Sequence, residues 1–247
     1  MSTNRIHIFR EIVIVLVLSP VFVSSISIKT VNAQAGQVTL KPSDDTYVDS
    51  SNPNSNYGGQ TTLDIEYVAI DSLATFQDLV WLKFDLSSVP NGAVVDIASI
   101  QLYTSYVTGT FNVHDYSCSN NSWTELSLMY SNMPSYNTTS MDSVLVASSN
   151  QWYNWSVIDA VRNALNGNPK SVTIIIQEPT PQSSGTSIGF KSKESPVYLT
   201  DYSPKLTIHW SSIVPEFQSF LLLALFMITM LIAVAFYKKK TMQNKRL

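Results

Sequence analysis

The sequence predicts an all-β sandwich with one short helix, framed by an apolar segment at each end. Three observations carry that reading. Across the body of the 247-residue chain, short apolar alternations rich in β-formers are broken by Pro, Gly, Asn and Ser at intervals of ~8–15 residues. A single internal segment combines helical spacing with start and stop residues. Repeated strand–helix alternation is missing, so a doubly wound parallel sheet, with the nucleotide sites such sheets carry, is not expected.

At the N-terminus, Arg5 and Arg10 precede an apolar run from Ile12 to Val23, and Ala33-Gln34-Ala35 offers a small-x-small cleavage pattern. Residues 1–35 therefore read as a secretory signal, with an uncleaved anchor as the alternative. The run falls short of the ~20 apolar residues that a comfortable bilayer crossing needs.

The body spans 36–212. Val38–Leu40 and Thr46–Val48 are short strand candidates, and Thr62–Tyr67 is a further strand. In the next, Val80, Leu82 and Phe84 alternate with Trp81, Lys83 and Asp85, which puts the three apolar side chains on one face. Ala98, Ile100 and Leu102 alternate with Ser99, Gln101 and Tyr103 in the same way. Strands are also expected at Thr110–Asp115, Ser143–Ala147, Val172–Gln177, Ile188–Phe190 and Leu206–Trp210, a number that suits two packed sheets. For the helix, Ser156 is the expected cap, Asp159 stands in the first turn, and Val157, Val161, Ala164 and Leu165 form the apolar stripe. Gly167 and Pro169 then stop it. Residues 52–59 and 182–186 are turn-rich loops.

From Phe217 to Tyr237 there is no charged residue. That length can cross ~30 Å of hydrocarbon as one helix. Lys238, Lys239, Lys240, Lys245 and Arg246 follow, a basic cluster that the positive-inside rule keeps in the cytoplasm. Residues 213–237 are thus expected to hold a membrane anchor, 238–247 a cytoplasmic tail, and the body lies outside the cell.

Between Gly36 and Ser212 seven basic side chains face sixteen acidic ones, a formal charge of −9 that the whole-chain value of −3 conceals. An acidic surface repels phosphate backbones, which excludes nucleic acid as a partner and disfavours unaided binding of polyanionic glycans. Neutral ligands and divalent cations fit better. The only cysteine, Cys118, leaves no intramolecular disulfide, so stability must come from burial, and Cys118 itself is expected inside.

The segments DDTYVDSSNPNSNYGGQTTLDI, VWLKFDLSSVPNGAVVDIASIQLYT, SWTELSLMYSNMPSY, WSVIDAVRNALNG and SPKLTIHW, in that order, resemble the DNRLRE domain, also called carbohydrate-binding module family 96. Asn56-Tyr57-Gly58, Leu82-Lys83-Phe84-Asp85-Leu86 and Trp123-Thr124-Glu125 together carry most of the likeness, which covers nearly all of Gln37–Trp210. The resemblance implies a jelly-roll β-sandwich. Members of that family occur on polysaccharide-degrading enzymes and on archaeal surface proteins, and the family name implies binding of a glycan such as alginate; a charge of −9 calls for bridging cations if the ligand is alginate. Val214-Pro215-Glu216-Phe217, the apolar run and the basic cluster also resemble an archaeal C-terminal sorting signal of the PEF type, although a plain stop-transfer anchor explains the same composition.

Sugar sites on β-sandwiches need exposed rings that stack on sugar faces, flanked by amides and carboxylates. Tyr57, Trp81, Tyr103 and Tyr130 are the expected ligand contacts, with Tyr136 beside them. Trp81 and Tyr103 lie opposite the apolar residues of their strands, and the other tyrosines fall in loops. Trp123, Trp152, Trp155 and Trp210 are expected as packing residues instead. Asp44, Asp45, Asp64 and Glu66 offer oxygen ligands for a structural calcium ion, although no EF-hand loop is present. Asn120, Asn137 and Asn154 begin acceptor sequons for N-glycosylation, the last in a crowded setting. Gly185-Thr186-Ser187-Ile188-Gly189 matches the nucleophile-elbow pattern, but a strand-like segment follows where a helix is required, and neither His114 nor His209 is placed near Ser187. No pair of carboxylates is singled out for glycoside hydrolysis. The chain therefore reads as a non-enzymatic, surface-displayed glycan-binding or adhesion module. The alternative is a structural surface-layer or cell–cell adhesion protein without a sugar site.

Overall fold

A computed structural model describes residues 35–70, 74–182, 185–197, 199–212 and 217–243. The expected signal segment, apart from Ala35, lies outside the described residues, as do Val214-Pro215-Glu216 of the expected sorting motif and the terminal Lys245 and Arg246. The chain divides into two compact units, residues 34–213 and the two ends.

The first unit is a β-sandwich. Its strands are β1 (Gly36–Leu40), β2 (Asp44–Asp49), β3 (Thr62–Ile65), β4 (Tyr67–Ile70), β5 (Ala74–Asp85), β6 (Ala93–Val107), β7 (Phe111–Cys118), β8 (Ser143–Val146) and β9 (Trp152–Ser156). The helix α1 (Ile158–Ala164) follows, then β10 (Ser171–Gln177), β11 (Ile188–Lys191) and β12 (Lys205–Ser212). One six-stranded sheet runs β1-β12-β6-β11-β3 with β9 also on β6; the other runs β2-β5-β10-β7-β8 with β4 on β5. The long β6 organises the first sheet: eight of its first nine residues pair with β12 around a bulge at Asp96, Ser99–Tyr103 pair with β9, and Thr104, Tyr106 and Val107 pair with β11.

Period-two alternation drives the main core. Ile100 and Leu102 of β6, Leu206 and Ile208 of β12 and Trp155 of β9 meet Leu82 and Phe84 of β5 and Ile174 and Ile176 of β10, all fully buried. The Trp155 indole N–H donates to the Val113 carbonyl at 2.9 Å, so its burial leaves no orphan donor. The tryptophan also packs edge-on to Phe190, 6.0 Å between ring centres.

A second core lies on the opposite face of the β2-β5-β10-β7 sheet. Val48, Leu79, Trp81, Tyr116, Cys118 and Ile175 point that way, and the long β7–β8 connection folds over them, burying Trp123 and Leu128 and packing Tyr130, Met133 and Tyr136 against the cluster. This corrects the reading of Trp81 as a sugar contact. It is 0% exposed and sits edge-on between Trp123 and Tyr136, 5.9 and 6.0 Å away. The alternation in β5 is real, but both faces of the strand are covered, so the residue opposite the main core is buried as well. Cys118 is buried as expected, and its thiol lies 3.4 Å from the Ser135 carbonyl.

Three further differences concern the elements. The strand expected over Thr62–Tyr67 breaks at Glu66 into β3 and β4, because β3 pairs with β11 and β4 with β5. Ser156 does not cap α1: it ends β9, the N-cap is Val157 without a side-chain bond, and the Ser156 N–H donates to Asp142 at 2.8 Å. Strand β9 was not anticipated at all. Its WYNWS sequence is short and aromatic, and its ladder partner among the described strands is β6.

In the other unit, Phe217–Gln243 forms the 27-residue helix α2. The side chains at 217–222, 225, 236, 240 and 243 lie outside the described residues. Among the described residues no helix is long and apolar enough to cross a membrane. The predicted anchor thus corresponds to a helix, but not to a membrane span that the described residues establish.

Candidate functional site

The outward face of the first sheet carries an aromatic cluster. On β6, Ile100 and Leu102 point into the core, so Ser99, Gln101 and Tyr103 point out; on β9, Trp152, Asn154 and Ser156 do the same. Register places Tyr103 beside Trp152 and Gln101 beside Asn154 on one side, and Lys205 beside Gln101 on the other. Tyr103 meets Trp152 edge-on at 5.3 Å and lies against Tyr202 at 4.1 Å, while Trp152 and Tyr202 are 6.3 Å apart. The Lys205 ammonium stands 4.6 Å from the centre of the Trp152 ring.

Tyr202 reaches this cluster from the turn before β12, and the turn is held by Asp201. Its carboxylate accepts the Ser203 N–H at 3.0 Å and the Ser203 hydroxyl at 2.6 Å, and pairs with Lys41 at 2.5 Å. These charge-stabilising bonds outweigh slight burial and hold the Asp201 carboxyl down at about 2. The rings are half-buried: firmly seated, yet each presents surface to solvent. Amides, a cation and flat rings on one sheet face have the chemistry to stack on sugar rings and to hydrogen-bond their hydroxyl groups.

Of the expected ligand contacts, only Tyr103 stands here. Tyr130 is packed against the second core, and Tyr136, whose hydroxyl donates to Gln177 at 3.1 Å, is edge-on to Tyr116 there. Loop placement had suggested exposure for both, but a loop that covers an apolar sheet face needs its own rings for burial. Tyr57 belongs to a different cluster. It stacks on Tyr47 at 4.3 Å and donates to Asp49 at 3.0 Å, while Tyr106 donates to Asp64 at 2.9 Å. Nearby Asp78 is raised to about 8 by burial and by the charges of Asp49, Glu66 and Asp64. Trp152 and Tyr202, the two platform residues not anticipated as contacts, were masked by the unread β9 and by a turn without a strand pattern. The signal available was WYNWS itself, where Trp155 and Trp152 fall on opposite faces.

At one corner of the sandwich three sequence segments meet. Asn56 donates to the carbonyls of Glu125 and Leu128 at 2.6 and 2.7 Å, and Gly58 packs so closely on the Glu125 carbonyl that a Cβ there would overlap it. The Lys83 ammonium pairs with Asp44 at 2.9 Å, donates to the Trp123 carbonyl and lies 4.7 Å from the centre of the Trp123 ring. Asn56-Tyr57-Gly58, the strand holding Lys83, and Trp123-Thr124-Glu125 thus clamp the covering loop to β2 and β5.

The four carboxylates read as calcium ligands divide between Asp44 and Asp45 on β2 and Asp64 and Glu66, which both act on Asp78. Asp44 is engaged by Lys83, the Glu125 N–H and the Ser43 hydroxyl, which together hold its carboxyl below the ordinary range despite opposing burial. Asp64 bonds Tyr106, and Glu66 lies at the break between β3 and β4. Asp45 instead faces Glu125 and Glu194, with one carboxylate oxygen from each of the three within 4.8 Å of the others.

Asn120, Asn137 and Asn154 are all exposed. Asn120 accepts the Ser122 N–H and Asn137 the Thr139 N–H, local turns at 2.9 and 3.1 Å. Ser187 directly precedes β11 and exchanges hydrogen bonds with Thr108, so no helix follows it and the elbow geometry is not formed. Two concavities of about 270 and 260 Å³ flank α1 and are lined by neither carboxylate nor aromatic side chains. They are poor matches to sugar chemistry, and the flat ring cluster is the better candidate site.

Compared with known families, residues 36–209 match the model of carbohydrate-binding module family 96. The comparison with curated proteins finds no match.

Proposed function

This chain belongs to carbohydrate-binding module family 96, and from that premise we propose that its jelly-roll sandwich binds a polysaccharide on the ring cluster of Trp152, Tyr202 and Tyr103. A carbohydrate-binding module is non-catalytic by kind, and the proposed role is capture rather than turnover. The observation that carries the placement is the three half-buried rings on one outward sheet face, with Gln101, Asn154 and Lys205 alongside. Sugar rings stacked on Trp152 and Tyr202 would leave their hydroxyls within reach of the two amides and the ammonium. The charge of −9 between Gly36 and Ser212 favours a neutral glycan over a uronate-rich one.

The proposed setting is the cell surface. Its support is the sequence order: a signal-like N-terminus, the sandwich, the uncharged stretch Phe217–Tyr237 and the lysines at 238–240. In this arrangement the module holds a glycan of the matrix or of a neighbouring cell beside the membrane, and the exposed sequons carry glycans of their own. Membrane fractionation with protease shaving of intact cells tests the topology; a sandwich that survives shaving on uncoated cells would refute it. A glycan array probed with the purified full-length chain in mild detergent tests the binding. Saturable signal on at least one neutral polysaccharide, lost in Trp152→Ala, is the expected result, and a blank array would refute the proposal.

A further inference from the structure

Among the described residues three carboxylates are taken inside, Asp45, Asp115 and Glu178, and Asp45 is the one that meets further carboxylates from two other segments. It stands on β2 and is 1% exposed. One of its oxygens, Oδ2, accepts the Lys193 N–H at 2.8 Å, while Oδ1 is buried without a hydrogen-bond donor among the described residues. It faces two further carboxylates, Glu125 from the covering loop and Glu194 from the turn after β11, with one oxygen of each within 4.8 Å of the others. Glu194 Oε2 is likewise buried and without a donor among the described residues. Among the described residues the cation at the group is the Lys193 ammonium, which pairs with Glu125 at 2.5 Å and with the other oxygen of Glu194.

Three carboxylates face one ammonium, and two of their oxygens, Asp45 Oδ1 and Glu194 Oε2, are buried with no hydrogen-bond partner among the described residues. Such an arrangement needs a proton or a cation, because buried acceptors without partners are costly and like charges at this range repel. Among the described residues the group holds neither histidine nor cysteine, which disfavours zinc, copper and cluster iron by ligand type. Hard oxygen ligands from three separate chain segments suit calcium, which tolerates irregular geometry and completes its shell with water; magnesium demands closer to an ideal octahedron.

We propose that Asp45, Glu125 and Glu194 form a calcium site that fastens β2, the covering loop and the turn after β11 to one another. Bound calcium offsets the excess of carboxylates over the single ammonium and gives Asp45 Oδ1 and Glu194 Oε2 a partner. The site lies on different elements from the ring cluster, so it stands whether or not that cluster binds sugar. In a chain with a single cysteine it is a cross-link that does not depend on redox chemistry.

The test uses the full-length chain in mild detergent, stripped with EDTA and titrated with calcium chloride alone, followed by calorimetry and by thermal unfolding. The expected result is one site per chain with a Kd of roughly 0.1–1 mM, the range of extracellular calcium modules, and an unfolding midpoint that rises with calcium and less with magnesium. Asp45→Asn and Glu194→Gln should each weaken binding at least about tenfold. Glu125→Gln, altering a residue outside the buried core, serves where the Asp45 variant folds poorly. Absence of a calcium-dependent heat and midpoint shift in the unaltered chain would overturn the proposal. So would an equal shift in the unaltered chain and the Glu194→Gln and Glu125→Gln variants.

Discussion

The Lys205 ammonium lies over the Trp152 ring, 4.6 Å from its centre, although the two residues come from strands on opposite sides of β6. A cation over an indole contributes about 0.5–1 kcal/mol at an exposed position. Here it also sets a hydrogen-bond donor against the ring. Removing the ring should therefore act on binding far more than on folding. Trp152→Ala is expected to weaken polysaccharide affinity by about tenfold or more, equivalent to about 1.4 kcal/mol, with the unfolding midpoint little changed; affinity electrophoresis and a thermal melt read the two effects separately.

Trp81→Ala should show the opposite profile. Its ring is fully buried between Trp123 and Tyr136, and truncation of a buried tryptophan typically costs about 3–5 kcal/mol. Denaturant titration should show that loss, while the fraction that remains folded keeps its affinity for glycan.

Gly58→Ala tests the corner clamp. The added methyl would meet the backbone carbonyl of Glu125, which is already held by Asn56 and cannot withdraw freely. Overpacking of this kind costs about 1–3 kcal/mol. The expected readout is a lower denaturation midpoint together with faster proteolysis within residues 119–142.

Acid should stabilise the sandwich. Burial lifts Asp78 to about 8 and Asp115 to about 7, with neighbouring carboxylates adding to the effect, against 3.8 for an ordinary aspartate. Between those values the native state holds protons that the unfolded chain has released, so stability is greatest near the ordinary aspartate range and falls as pH rises through 7 and 8. Thermal melts in EDTA should give a higher midpoint at pH 5 than at pH 8, and Asp78→Asn should flatten the difference.

The turn that carries Tyr202 depends on Asp201. Asp201→Ala removes the bonds to Ser203 and the pair with Lys41, whose side chain is 59% exposed. An exposed ion pair contributes about 0–1 kcal/mol, so stability should fall only slightly. Glycan affinity should fall more, because the ring loses its seat; the comparison of midpoint with affinity checks this.

The fold was largely legible because alternation is a local property. Val80, Leu82 and Phe84, or Ile100 and Leu102, announce a buried face without knowledge of their partners. Which opposite faces are covered is not local. Trp81 and Tyr103 occupy equivalent places in their strands, yet a loop closes over one and leaves the other open, and only the packing of Trp123, Leu128 and Tyr136 distinguishes them. For the same reason the carboxylates failed to group by proximity in sequence. Asp44 and Asp45 are adjacent, but the pleat sends the first to Lys83 and the second inward to Glu125 and Glu194, residues 80 and 149 positions away. Trp152 is not legible as an outward ring because the pairing of β9 with β6 is a long-range contact that its five residues do not announce.

The claim on which the rest turns is that the outward ring cluster holds a glycan. Affinity electrophoresis of the full-length chain through gels containing neutral or acidic polysaccharides, beside a Trp152→Ala, Tyr202→Ala double variant of unchanged melting midpoint, tests it most directly. The account predicts that at least one neutral polysaccharide retards the unaltered chain and not the variant. Equal retardation of both, or of neither in every gel, would contradict it.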